Sequence, residues 1–267
     1  MNRISALLYS LAVTNVCYAT EPPCSTTFRN DIYPPVFLDK NTAIGFEIAK
    51  TSVDPHVDAY PIRMVVRQCD ARRETEIAKL PYLGTPGEVE SAFLADADFD
   101  GTAEIIVIQR TAIYSDTGIN YSSDYFTTLV YTRLGPQSYK LDERISTYFG
   151  SGGDVLSQET NDTLTYTHPY KTEAQVKNQL ASPRYKNWLT KEPIITRVTK
   201  KTYLHDQPNT ADRTKSYLIP GDQIRVFDQQ AGWLEAVFHN KKKGNIKGWV
   251  LCKDTLECVD HKPSTER

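Results

Sequence analysis

Histidine is scarce in this chain and scattered. Its five copies, His56, His168, His205, His239 and His261, stand too far apart for an HExxH or HxH metal pair. No GxSxG elbow and no Walker-type loop is present, so neither a serine-hydrolase turn nor a P-loop is marked locally. Members of a catalytic triad can lie far apart, so the local signatures are excluded rather than catalysis itself. Beyond the first twenty residues no apolar run is long enough for a transmembrane helix. The formal net charge of −2 lacks the basic excess of a nucleic-acid-binding chain. Cysteine is sparse too, five in 267 residues, without the spacing or neighbouring histidines of a zinc site.

What is present is ordinary for a globular chain: 40% hydrophobic and 24% charged residues. The length allows one large domain or two smaller ones. Sixteen tyrosines and nine phenylalanines lean toward β-structure. Residues 1–19 read as a secretory leader. Arg3 supplies the positive start, Ile4 to Val16 the apolar stretch, and Cys17-Tyr18-Ala19 the small residues of a cleavage site. A lipid-anchored reading would use Cys17, against the bulky Val16 before it.

Removal of the leader leaves Cys24, Cys69, Cys252 and Cys258, an even number in an exported chain. Cys252 and Cys258 are close in sequence and are expected to pair, leaving Cys24 for Cys69; two other pairings exist. Charge is divided: residues 20–195 carry a net −7 and residues 196–267 a net +4. That split points to two modules, or simply to two solvated surfaces.

The most informative run is Asp96-Ala97-Asp98-Phe99-Asp100-Gly101-Thr102-Ala103-Glu104, followed by Ile105 to Ile108. Carboxylates at every second position place hard oxygens on one side of a turn, and Gly101 permits the sharp bend. Asp96, Asp98, Asp100, the Thr102 carbonyl and Glu104 are therefore the expected ligands of a structural calcium ion. The same acids could instead form a turn by bonding their own backbone. Val107 stands where an EF-hand needs glutamate, which excludes that motif.

Strands are expected near 44–48 (half-buried), 62–66, 75–80, 89–94, 105–108, 125–131 and 139–145. Ser151 to Asp154 reads as a turn without the helix that a phosphate site needs. Thr172 to Leu180 is the clear helix, with Thr172 and Gln175 placed for a capping box; a second helical turn is expected at Arg184 to Leu189. Lys191 to Thr196 reads as a linker. Beyond Lys200, short strands separated by tight turns indicate a small closed barrel.

The residues Tyr217 to Asp222, Gly232-Trp233 and Gly248-Trp249-Val250 resemble bacterial SH3-like domains, over about a quarter of the chain. The resemblance implies an envelope protein that binds peptidoglycan or other proteins. Trp233 and Trp249 are then either barrel core or contact residues. The acidic run is similar to the calcium loops of FG-GAP and integrin-type repeats, here in a single copy. The general layout loosely resembles exported lysozyme-inhibitor-type proteins.

Lys241, Lys242, Lys243 and Lys247 form a basic loop that could meet an acidic partner or sit solvated. His168, beside Pro169 and Tyr170, reads as a loop residue, and His205 and His239 as exposed. Asp54, Asp58, Glu88 and Glu90 are the acids available for a glycosidase-type pair.

The resulting expectation is a mainly β protein, with α+β possible in the first module. It comprises a leader (1–19), a β-rich domain (20–195) and an SH3-like barrel (196–267), in the periplasm or secreted. Its expected role is non-enzymatic binding of a wall-degrading enzyme or toxin. Peptidoglycan attachment and wall hydrolysis are the alternatives.

Overall fold

The computed structural model describes residues 30–54, 56, 58–71, 73–113, 118–157, 163–242 and 244–258. The leader, Cys24, Lys243 and His261 lie outside the described residues. The chain is mainly β. A first antiparallel sheet runs β1 (Val36–Phe37), β2 (Thr42–Ile48), β3 (Ile62–Gln68), β4 (Arg73–Lys79). A second runs β5 (Glu88–Ala95), β6 (Glu104–Thr111), β7 (Tyr125–Gly135), β8 (Ser138–Leu141), and β9 (Ser151–Gly152) also pairs with β7. Helix α1 (Glu143–Phe149) follows β8. A short hairpin of β10 (Val155–Leu156) and β11 (Leu164–Tyr166) then leads to α2 (Glu173–Leu180) and α3 (Pro183–Leu189).

Strand β6 explains the layering. Successive side chains alternate faces, and Ile105, Ile106, Val107 and Ile108 are all fully buried. Ile105 and Val107 join Ile44, Phe46, Ile62, Met64 and Val66 of the first sheet in one core. Ile106 and Ile108 join Tyr148, Phe149, Tyr170, Val176, Tyr185 and Trp188 in another. The second sheet is therefore the middle layer, between a sheet and a group of helices.

The helices are placed by their caps. Thr172 and Gln175 form the expected capping box on α2, and Ser182 caps α3 with Pro183 in its first turn. The strand expected at 139–145 is corrected: Asp142 accepts the Ile145 N–H, which ends β8 and starts α1. The turn expected at 151–154 partly extends the second sheet as β9.

The first sheet departs from the half-buried pattern expected of residues 44–48, since both faces of β2 are covered. Beneath it lies Arg67, 1% exposed. It donates to Asp31 at 2.7 and 2.9 Å, to Glu74 at 3.0 Å and to Glu47. Arg63 extends the network to Glu47 and Glu74. The guanidinium crosses β2 at Gly45, where a Cβ would fall 2.0 Å from Arg67 Nη1 and 2.6 Å from Asp31 Oδ2.

The C-terminal sheet has the order β12 (Ile194–Arg197), β15 (Gln223–Gln230), β16 (Trp233–Asn240), β17 (Gly244–Leu251), β13 (Thr202–His205), β14 (Arg213–Leu218). It curls around one cluster that includes Ile194, Leu204, Leu218, Ile224, Leu234 and Val250. Two expectations are corrected. The linker and the boundary after residue 195 fall on β12, because Ile194 is a core residue. The barrel is not closed by pairing, since β12 and β14 are outer strands and do not meet in a ladder among the described residues. The sheet is tied to the helical layer by Trp188 Nε1 donating to Asp228 (2.8 Å) and the Ala231 N–H donating to the Tyr148 carbonyl (2.9 Å).

Gly45→Ala is expected to lower stability by about 1–3 kcal/mol, since the added methyl must displace a buried, charge-paired guanidinium. Urea unfolding would show a lower midpoint at unchanged slope. An unaltered midpoint would mean that Arg67 does not lie against this strand.

Candidate metal centre

The acidic loop joins β5 to β6, and its shape follows from its own side chains. Asp98 accepts the Asp100 N–H (3.1 Å), Asp100 accepts the Thr102 N–H (2.6 Å), and Asp96 Oδ2 accepts the Gly101 N–H (3.1 Å). Gly101 has φ +90° with open space around the position of a Cβ, so backbone conformation alone demands glycine there. Phe99 also has positive φ, 60°, and its ring meets Tyr185 edge-on.

Glu104 begins β6 and is fully buried. Its Oε2 accepts the Ala97 N–H at 2.7 Å, closing the loop at its base. Its Oε1 is buried without a hydrogen-bond partner, as is Asp96 Oδ1. Asp96, Asp98 and Glu104 present oxygens within 4.8 Å of one another. Burial pushes the Glu104 carboxyl up to about 7, and the charges of Asp98 and Asp100 push the same way. Asp98 is also raised, chiefly by burial.

Three converging carboxylates with two orphaned oxygens fit a hard divalent cation. Calcium takes oxygen ligands of this kind, and a divalent charge would offset both desolvation and mutual repulsion. Of the five expected ligands, the fold brings together Asp96, Asp98 and Glu104. Asp100 is exposed, holds the Thr102 N–H and does not join the converging carboxylates.

The loop is pinned from outside by Tyr185 of α3, fully buried, whose hydroxyl donates to the Ala97 carbonyl at 2.7 Å. Sequence reading missed this contact: Tyr185 is 88 positions from Ala97, and nothing in either local pattern announces the pairing.

The remaining expected site residues are dispersed. Cys252 and Cys258 form a disulfide, as oxidising compartments favour. Cys69 is disulfide-bonded, while the Cys24 end of the expected pair lies outside the described residues. Of the two readings of Trp233, core or contact, the structure shows core: it is 1% exposed and stacks on Tyr166 at 5.8 Å. Trp249 is half-buried against the same cluster. Lys241 and Lys242 are exposed in the β16–β17 turn, and Lys247 pairs with Glu235 at 2.6 Å.

His168 does lie in a loop, but it is fully buried. The Tyr166 hydroxyl has one hydrogen and gives it to the Ala231 carbonyl (2.6 Å). His168 Nδ1, 3.1 Å from that hydroxyl, must therefore donate to it. His205 is likewise buried, against Trp233, contrary to expectation; His239 is exposed.

Millimolar calcium is expected to raise the melting temperature, and chelator to reverse this, in line with a site that binds the folded state alone. Glu104→Gln should abolish the response, and Asp100→Asn should retain most of it. Calorimetry with and without chelator measures both; no response in the wild type would remove the metal centre.

A second expectation concerns pH in chelator. A carboxyl raised in the folded state contributes stability that is present below its unfolded value of about 4.5 and lost as pH rises through 7. Glu104→Gln should therefore be more stable than wild type at pH 8, with the difference shrinking toward zero below the unfolded value of about 4.5. An equal difference at pH 8 and below that value would contradict the buried, unpaired carboxylate.

Comparison with protein-family models, with curated proteins and with solved structures finds no match for this chain.

Proposed function

We propose that this chain is an extracytoplasmic, non-enzymatic binding protein that neutralises a protein partner, a wall-degrading enzyme or toxin. The observation that carries the binding reading is the row of large apolar side chains turned outward on the C-terminal sheet. Ile195 is 62% exposed and Phe227 53%, on adjacent strands, while Ile194, Thr196 and Val226 beside them pack inward. Arg225, directly opposite Ile195, lies 5.2 Å from the Phe227 ring. Isolated exposed apolar residues are common, but aromatic and arginine side chains grouped on a rigid sheet are what protein interfaces favour.

Rigidity supports the same reading. A surface held in one shape before binding loses less entropy on association. The Cys252–Cys258 disulfide and the proposed calcium clamp at Asp96, Asp98 and Glu104 both limit motion. The disulfide and the expected leader favour the periplasm or the exterior. Among the described residues, no helix is long and apolar enough to cross a membrane. The six-stranded curled sheet is in keeping with an SH3-like module, and the loop with a single FG-GAP-type calcium turn.

The test is a cell-wall clearing assay with a lysozyme-type hydrolase, paired with co-sedimentation on insoluble peptidoglycan. The protein is expected to slow clearing without sedimenting on its own. Ile195→Ser with Phe227→Ser should weaken inhibition by about tenfold or more, the scale of losing one buried apolar anchor. Sedimentation without inhibition would assign it to wall attachment instead. Soluble fragments released by the protein alone would make it a hydrolase.

A further inference from the structure

The outer strand β14 exposes a second chemical surface, distinct from the Ile195–Phe227 row. Leu218 of β14 is buried in the core and Tyr217 beside it faces away; Arg213 and Lys215 are also exposed, with a bulge between the Tyr203–Tyr217 and His205–Arg213 pairs. Tyr217 stands opposite Tyr203 of β13 in register, their rings 6.0 Å apart at 67°. Lys201 Nζ lies 4.4 Å from the Tyr217 ring and 5.1 Å from that of Tyr203. The Arg213 guanidinium lies 4.8 Å from the Tyr203 ring. Two cations and two rings thus form one stacked group on the outside of the sheet.

Among the described residues, none of these cations forms an ion pair with a carboxylate. In the C-terminal sheet and its flanks, the ion pairs among the described residues are Lys200–Asp254 and Lys247–Glu235. Asp212, next to Arg213, is held by the Asn209 side chain at 2.6 Å. The outer edge of β14 pairs with no strand among the described residues. Such an edge offers a row of backbone N–H and C=O groups to an incoming chain. Its own positive charges repel a second β14, which limits self-association, while a strand bearing carboxylates would be attracted.

We propose that β14 is the docking edge for an extended acidic segment of a protein partner. The segment adds as a further strand, with its carboxylates over Lys201, Arg213 and Lys215. Backbone pairing supplies affinity, and alternate side chains supply selectivity. The two cations already rest on aromatic rings, so little side-chain freedom is lost when the carboxylates arrive. This inference rests on the protein-binding reading and names the chemistry of the partner.

The experiment titrates the full chain into a fluorescent peptide alternating glutamate and threonine, followed by anisotropy. Parallel arms use a lysine–threonine peptide, a glutamate–proline peptide, heparin, and vesicles containing phosphatidylglycerol. The glutamate–threonine peptide is expected to bind with an affinity that falls as salt rises. Lys201→Gln and Arg213→Gln should each weaken it by about tenfold, and the glutamate–proline peptide should bind at least about tenfold more weakly.

Both substituted residues are exposed, and unchanged unfolding midpoints confirm intact variants. Hydrogen exchange on the wild type gives a readout that needs no variant: the peptide should slow exchange at the β14 amides. Failure of the peptide to bind, indifference to both substitutions, or unchanged β14 exchange overturns the proposal. Equal or tighter binding of heparin or vesicles with the same residue dependence overturns the protein assignment. Hydrolase inhibition that survives both substitutions sinks this docking edge while leaving the neutralising role intact.

Discussion

Burial of β6 on both faces is the constraint on which the rest of the structure depends. Four consecutive apolar residues, Ile105 to Ile108, serve two cores at once. The arrangement also takes the residue at the head of the strand out of water. Glu104 follows the strand inward, and its carboxylate is left with one bonded oxygen and one bare one. The acidic loop is thus more than an exposed turn, because the middle layer desolvates its last carboxylate. Desolvation makes an unpaired charge costly and a cation correspondingly welcome.

The other strong constraints are polar contacts between layers. Tyr185 reaches from α3 to the Ala97 carbonyl, so the loop is fixed by the helical layer as well as by Glu104. Ala231 and Asp228 tie the C-terminal sheet to Tyr148 and Trp188, members of the same aromatic cluster. Arg67 anchors the outer face of the first sheet through three carboxylates, a network that only the absence of a side chain at Gly45 permits. Where these contacts are buried, removing one partner leaves an uncompensated group.

Function in this reading is a property of surfaces carried by the C-terminal sheet. Its interior is filled by its own core, and Trp233 on the opposite face is covered by the β10–β11 hairpin, so a ligand meets the sheet from outside. The outward side offers apolar groups at Ile195 and Phe227 and cation-bearing rings along β13 and β14. An interface combines the same ingredients: a desolvated apolar anchor for affinity and charge for orientation and selectivity. In this reading the disulfide, whose Cys258 turn packs against β12, and the proposed metal clamp act by limiting motion.

Much of the fold was legible wherever local chemistry decides conformation. Alternating apolar residues marked most strands, and Thr172 with Gln175 marked α2, because period and capping are properties of neighbouring residues. The run from Asp96 to Glu104 likewise announced its turn, and the nearness of Cys252 to Cys258 announced their bond. Local pattern failed at α1, where a single cap at Asp142 redirected residues that also suit a strand.

It failed for His205, expected exposed, whose burial depends on which layer covers it. It could not separate Glu104 from Asp100, two acids four positions apart. One heads a strand covered on both sides, and the other points into water. The sequence by itself determined the elements, the turn and the supply of carboxylates. Only tertiary packing decided which of them lose their water, because desolvation is set by what lies across the core and not by what lies next along the chain.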